Sequence, residues 1–172
     1  MSQPAPEFSR PVKLAHLRSE PFVQQIEATA DERHRLAQRF DLIALDHLTG
    51  TVTLQREGEG RILLEGSFDA EFTQTCVVTL EPVPGRISRS FSMVYVSIED
   101  RRTEIELDAD EPVFEPLTGD EIDIGEAVAQ ELSLSLPDFP RDPEAVIDSA
   151  ATAEIAAGPF AALPQLIRHQ QN

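Results

Sequence analysis

Arg61-Ile62-Leu63-Leu64-Glu65-Gly66-Ser67-Phe68-Asp69-Ala70-Glu71-Phe72-Thr73 is the stretch that decides the fold class. Ile62, Leu64, Phe68, Ala70 and Phe72 share one parity, while Arg61, Glu65, Ser67, Asp69, Glu71 and Thr73 share the other. Successive side chains of a strand point to opposite faces, so this period of two predicts a strand with one buried and one wet face. Gly66 falls on the apolar face, where a missing side chain predicts a bend or the close approach of another element.

Upstream, Val52 and Leu54 alternate with Thr51, Thr53 and Gln55, and Gly58-Glu59-Gly60 supplies a turn, so the two segments predict a hairpin. Downstream, Arg86 to Ile98 carries Ile87, Phe91, Met93 and Tyr95 at one parity and Val94, Val96 and Ile98 at the other. That pattern predicts a central strand whose second half is buried on both faces. Thr103, Ile105 and Leu107 alternate with Glu104, Glu106 and Asp108, which predicts a short strand with an acidic outer face. Phe8 to Leu17 predicts a first strand, placed at an edge by Pro11.

Two helices interrupt the strands. Thr29-Ala30-Asp31-Glu32 has the form of a capping box and predicts a helix to about Arg39, with Leu36, Ala37 and Phe40 on its inner side. Asp123-Ile124-Gly125-Glu126 repeats the arrangement, with Asp123 as N-cap and Glu126 at the third position. This second helix should stop before Pro137, bury Ile124, Ala127, Val128 and Leu132, and turn Glu126 and Gln130 to water. The elements together predict an α+β fold: a mainly antiparallel, bent β-sheet or partly open barrel with two short helices and a flexible acidic C-terminal tail. Residues 1–7 read as a flexible N-terminus, 8–140 as one folded domain, and 141–172 as a linker and tail carrying Phe160-Ala161-Ala162-Leu163.

The 172 residues carry 31 acidic against 14 basic side chains, a net charge of -17. Met1–Ile98 holds 13 acidic and 10 basic residues, Glu99–Asn172 holds 18 and 4, so the acidity belongs to the second part. Such a surface repels phosphate backbones and disfavours a broad grip on RNA. It attracts basic partners or keeps the protein soluble. No apolar run approaches the length of a bilayer span and no basic, apolar leader is visible, so a cytoplasmic protein without a membrane role is expected.

His16, His34, His47 and His169 are scattered, with no His or Cys partner at metal-ligand spacing, and no glycine-rich phosphate loop or nucleophile elbow is visible. No metal, no cofactor and no enzymatic activity are expected. Cys76, the single cysteine, continues the inward parity of Ile62 to Phe72 and is expected to be a small buried side chain, with Glu81-Pro82 marking the exit of the strand. As a reactive nucleophile it would need exposure and a neighbouring base.

Cys76-Val77-Val78-Thr79-Leu80-Glu81-Pro82-Val83 resembles the central signature of the YceD family, associated with accumulation of large-subunit ribosomal RNA. Many members have Cys-x-x-Cys there; Thr79 stands at the second position, as in an alphaproteobacterial branch of the family. Glu121-Ile122-Asp123-Ile124-Gly125-Glu126, then Glu131-Leu132 and Leu136-Pro137, is similar to the family's helix, and Pro159-Phe160-Ala161-Ala162-Leu163 to its terminal block. The resemblance implies a part in making or stabilising large-subunit ribosomal RNA, without a known reaction.

Joined to the acidity, this predicts an adaptor that binds a basic ribosomal or assembly protein, with Glu104, Glu106, Asp108, Glu126, Glu131, Phe160 and Leu163 as candidate contacts. Direct recognition of ribosomal RNA through Arg33, Arg35, Arg39, Arg86 and Arg89 is the alternative, and a Cys76-dependent enzyme a third.

Overall fold

The computed structural model describes residues 6–58, 60–97 and 113–146. Strand β1 (Pro11–Lys13) leads through a single 3-10 turn into β2 (Phe22–Glu27), helix α1 (Ala30–Arg39) and the long strands β3 (Ala44–Arg56), β4 (Arg61–Thr75) and β5 (Pro82–Ser97). Strands β6 (Val113–Leu117) and β7 (Glu121–Asp123) then precede helix α2 (Ile124–Ser135). Five strands form an open sheet in the order β2-β3-β4-β5-β6, and β1 pairs separately with β7. Every pairing is antiparallel except that of β5 with β6. The fold is α+β, an open bent sheet with two helices and no closed barrel.

The alternation of β4 sets this arrangement. Ile62, Leu64, Phe68, Ala70 and Phe72 are all buried, and across the hairpin Leu48, Val52 and Leu54 of β3 join them. Helix α2 lays Ile124, Ala127, Val128, Ala129 and Leu132 on the same face, and α1 adds Leu36 and Ala37. Gly66 faces this interior opposite Phe91 of β5, whose ring occupies the space that a β-carbon would need. The glycine thus seats an aromatic ring across the strand pair. The second half of β5 is covered on both faces as expected: Met93 joins the core, and Val94 and Val96 of the opposite parity are also buried.

Four expectations are corrected. Phe8–Leu17 is a strand only at Pro11–Lys13, because Leu14–His16 winds into the 3-10 turn. The strand does not continue through Cys76: β4 ends at Thr75, and Pro82 opens β5 directly opposite it. A proline without a ladder donor is tolerated at the first position of a strand, so Glu81-Pro82 marks a beginning and not an exit. Strands β2, β6 and β7 carry no clear alternation and were not foreseen; β2 has a single buried residue, Ile26, because it is the edge of the sheet. Glu126 does not turn to water, as its partner Arg39 shows below. The expected strand at Thr103–Asp108 lies outside the described residues.

Candidate functional site

The turn between β4 and β5 is built around a sulfur atom. Once the β4 ladder ends, the Cys76 N–H donates to the Glu81 carbonyl (2.8 Å) and the Leu80 N–H to the Cys76 carbonyl (3.0 Å), closing a six-residue loop. The Cys76 side chain then points into that loop, where the N–H groups of Val78, Thr79 and Asp142 all donate to Sγ at 3.4 Å. Cys76 is 0 % exposed, yet it lies outside the apolar core, beneath a turn whose Thr75, Val77 and Thr79 are exposed. Its cover is the turn itself rather than depth. The expected small apolar filler is therefore a hydrogen-bond acceptor.

The Asp142 N–H, followed by the Thr79 side chain and the N–H groups of Thr79 and Val78, pulls the thiol down to about 7, against burial, which pushes it up. Donors aimed at a sulfur favour its charged form. The Thr79 hydroxyl oxygen accepts from the Glu81 N–H at 3.3 Å, a further bond inside the turn. Among the described residues no three His, Cys, Asp or Glu side chains converge as a metal set. Leu80 takes a left-handed backbone, φ 62°, which closes the turn.

Residues beyond α2 belong to the same construction. The Val77 N–H donates to the Pro140 carbonyl (2.9 Å), and the Gln74 side chain to the Pro137 carbonyl (3.1 Å). With the Asp142 bond to sulfur, three contacts strap residues 137–142 along the signature turn. The sequence offers no sign of this, since the partners are some sixty positions apart.

At the N-terminal end of α2, two arginines tie this helix to α1. Asp123 caps α2 by accepting from the Gly125 and Glu126 N–H groups at 3.0 and 3.1 Å, as expected. Its carboxylate also accepts from the Arg10 N–H (2.7 Å) and the Ser9 hydroxyl (2.5 Å). Arg10 in turn grips Glu32 of the α1 capping box through both guanidinium nitrogens, at 2.6 and 2.9 Å. With the Arg10 guanidinium as the leading cause, the Glu32 carboxyl is held down at about 2. Arg39 binds Glu126 at 2.8 and 2.9 Å and Glu7 at 2.9 Å. Glu126 is therefore an internal partner, 20 % exposed, and does not complete a capping box.

A groove of about 900 Å³ runs beside this clamp, lined by Tyr95, Glu121, Asp123, Glu126 and Gln130 among others. Most of its carboxylates are already committed, to the helix cap or to Arg39. Burial, aided by Glu115 and Asp123, pushes the Tyr95 phenol up to about 12, so it stays neutral. Glu131 is half-buried, and burial raises its carboxyl. The candidate contacts Glu104, Glu106, Asp108, Phe160 and Leu163 lie outside the described residues.

An open, mainly antiparallel sheet backed by two capped helices, with a turn folded on a cysteine sulfur, defines an acidic α+β domain marked by that turn. The family model described as "Large ribosomal RNA subunit accumulation protein YceD" matches residues 64–159, more than half of the chain, and the chain belongs to this family. The matched stretch runs from near the start of β4 through the sulfur-centred turn, β5 and α2, and includes only the first residue of Pro159–Leu163. Membership connects the protein with accumulation of the RNA of the large ribosomal subunit. No curated protein and no solved structure matches the chain.

Proposed function

We propose that this protein is a noncatalytic, cytoplasmic factor in large ribosomal subunit biogenesis, supporting accumulation of the subunit's RNA by binding a basic ribosomal or assembly protein. The observation that carries the reading is that most of the candidate RNA-binding arginines are already bonded within the fold of a protein whose net charge is -17. Of the arginines that would serve RNA, Arg39 is held by Glu7 and Glu126, Arg86 by Glu71, and Arg33 donates to the Ala28 carbonyl. Only Arg35 and Arg89 of that set lack such a bond among the described residues. RNA affinity rests on cations that displace counterions, and a net charge of -17 opposes it. The same charge attracts a basic protein over a range set by ionic strength.

A noncatalytic role is supported by the state of Cys76. Its sulfur is 0 % exposed, closed off beneath the turn and used as the shared acceptor of three N–H groups that hold the turn together. No helix among the described residues is long and apolar enough to cross a membrane.

Crosslinking in growing cells, mapped to peptides, tests the reading. Crosslinks between this protein and a basic protein of the large subunit or its precursors are expected. Crosslinks confined to ribosomal RNA, centred on Arg35 and Arg89, would instead establish direct RNA recognition.

A further inference from the structure

We propose that the end of the sheet formed by the 76–81 turn and residues 137–146 is the surface on which a basic, amphipathic protein segment docks. This rests on the reading of the protein as a binder of a basic large-subunit partner, and it says where that partner sits and what it must look like.

The two segments lie side by side, held by the Gln74, Val77 and Asp142 hydrogen bonds to Pro137, Pro140 and the Cys76 sulfur. Their large apolar side chains are turned outward: Val77 is 52 % exposed, Leu80 75 %, Phe139 81 % and Val146 83 %. These four account for more than half of the large exposed apolar residues in the described chain, gathered at one end of it. Exposed apolar side chains concentrated in one place mark an interaction surface, whereas single ones scattered over a protein need no explanation.

Leu80 sharpens the point. It holds a left-handed φ of 62°, a conformation suited to glycine or asparagine, and its side chain contributes nothing to the core. The left-handed backbone closes the turn, but the turn does not require a leucine there, so the exposed side chain is free for a partner.

Charge sets the sign of the partner. Glu81, Asp138 and Glu144 of the same two segments are exposed, while their one cation, Arg141, donates to the Ala145 carbonyl at 3.0 Å. Apolar anchors and carboxylates on the same segments match a segment with apolar side chains flanked by Lys and Arg. The phosphate backbone of RNA is repelled by these carboxylates. The groove beside Arg39 is a weaker host, because most of its carboxylates are already paired.

The test presents full-length protein with two probes, the proteins extracted from purified large ribosomal subunits and the RNA from the same particles. Three chains are compared: the native one, Leu80→Asn with Phe139→Ser, and Glu81→Lys with Glu144→Lys. The first variant keeps a residue suited to the left-handed backbone, and the second leaves the apolar groups intact. Expected are capture of a basic subunit protein by the native chain, loss of at least tenfold in affinity in both variants with an unchanged thermal transition, and amide-exchange protection confined to 74–81 and 137–146. Capture that is equal in all three chains, or protection elsewhere, would overturn the surface and leave the adaptor reading standing. Capture of RNA alone, or of nothing, would overturn both. A dimer that requires Leu80, or 74–81 exchanging faster once residues 147–172 are deleted, would show a second copy or the chain's own tail in that place and overturn the proposal.

Discussion

Replacing Cys76 by alanine removes the acceptor that the N–H groups of Val78, Thr79 and Asp142 share, which is expected to cost about 1–3 kcal/mol in urea unfolding. Serine, which still offers an acceptor, is expected to cost less, the reverse of what a small apolar core residue would show. The thiol is held at about 7 in the fold, against about 8.5 in an unfolded chain. Across that interval the unfolded state binds more protons, so this contribution is present above the upper value and lost as pH falls through the lower one. The stability difference between native protein and Cys76→Ser should therefore grow between about pH 6.5 and 9; a difference that stays flat across this range would mean that the sulfur is not stabilised as a thiolate. At Gly66 an added methyl would strike the Phe91 ring, so Gly66→Ala is expected to destabilise by about 1–3 kcal/mol. The sequence made Gly66 legible, because its position on the apolar parity already called for a close neighbour. It made Cys76 only half legible: parity foresaw burial, but where a ladder ends depends on the turn that follows, and the donor from Asp142 is 66 positions away.

Among the elements, the helices were read well because their caps are local. Thr29 and Glu32 exchange their capping bonds as the pattern foretold, and Asp123 does its share at α2. What the pattern could not contain is the partner of each cap, since Arg10 joins Glu32 to the segment that binds Asp123, and Arg39 reaches Glu126 across 87 positions. Asp123→Ala thus removes two bonds beyond the cap and is expected to cost about 1–3 kcal/mol in urea unfolding, more than a cap alone. Glu32→Gln keeps the capping geometry but gives up the charge that Arg10 holds; screening at a partly exposed site limits its cost to about 1 kcal/mol near neutral pH. Because the Glu32 carboxyl is held at about 2, that stability is present above the ordinary carboxylate range and lost as pH falls towards 2. Native and Glu32→Gln unfolding midpoints should converge in that acid range, and a gap unchanged from neutral to pH 2 would remove the ion pair as its source. The same network explains why Glu126→Gln is not a clean test of surface charge: it weakens a bidentate grip between two helices.

At the scale of the whole molecule, charge and architecture are divided. The sheet and helices close over one apolar core, Arg10 and Arg39 are used to fasten the helices, and the chain as a whole carries a net charge of -17. The sheet itself was legible from the alternation of three long strands, whereas β2, β6 and β7 were not, because an edge or three-residue strand need not alternate. An acidic protein of the YceD family that reaches ribosomal RNA through a basic protein should remain attached to that protein when the RNA is gone. Sedimentation of the tagged, full-length chain with large-subunit precursors, before and after ribonuclease digestion, measures this most directly. Cosedimentation before digestion, with a basic protein still bound to the chain afterwards and released by raised salt, is the expected result. Release of the chain by ribonuclease with no protein attached, or the absence of any cosedimentation, would contradict it.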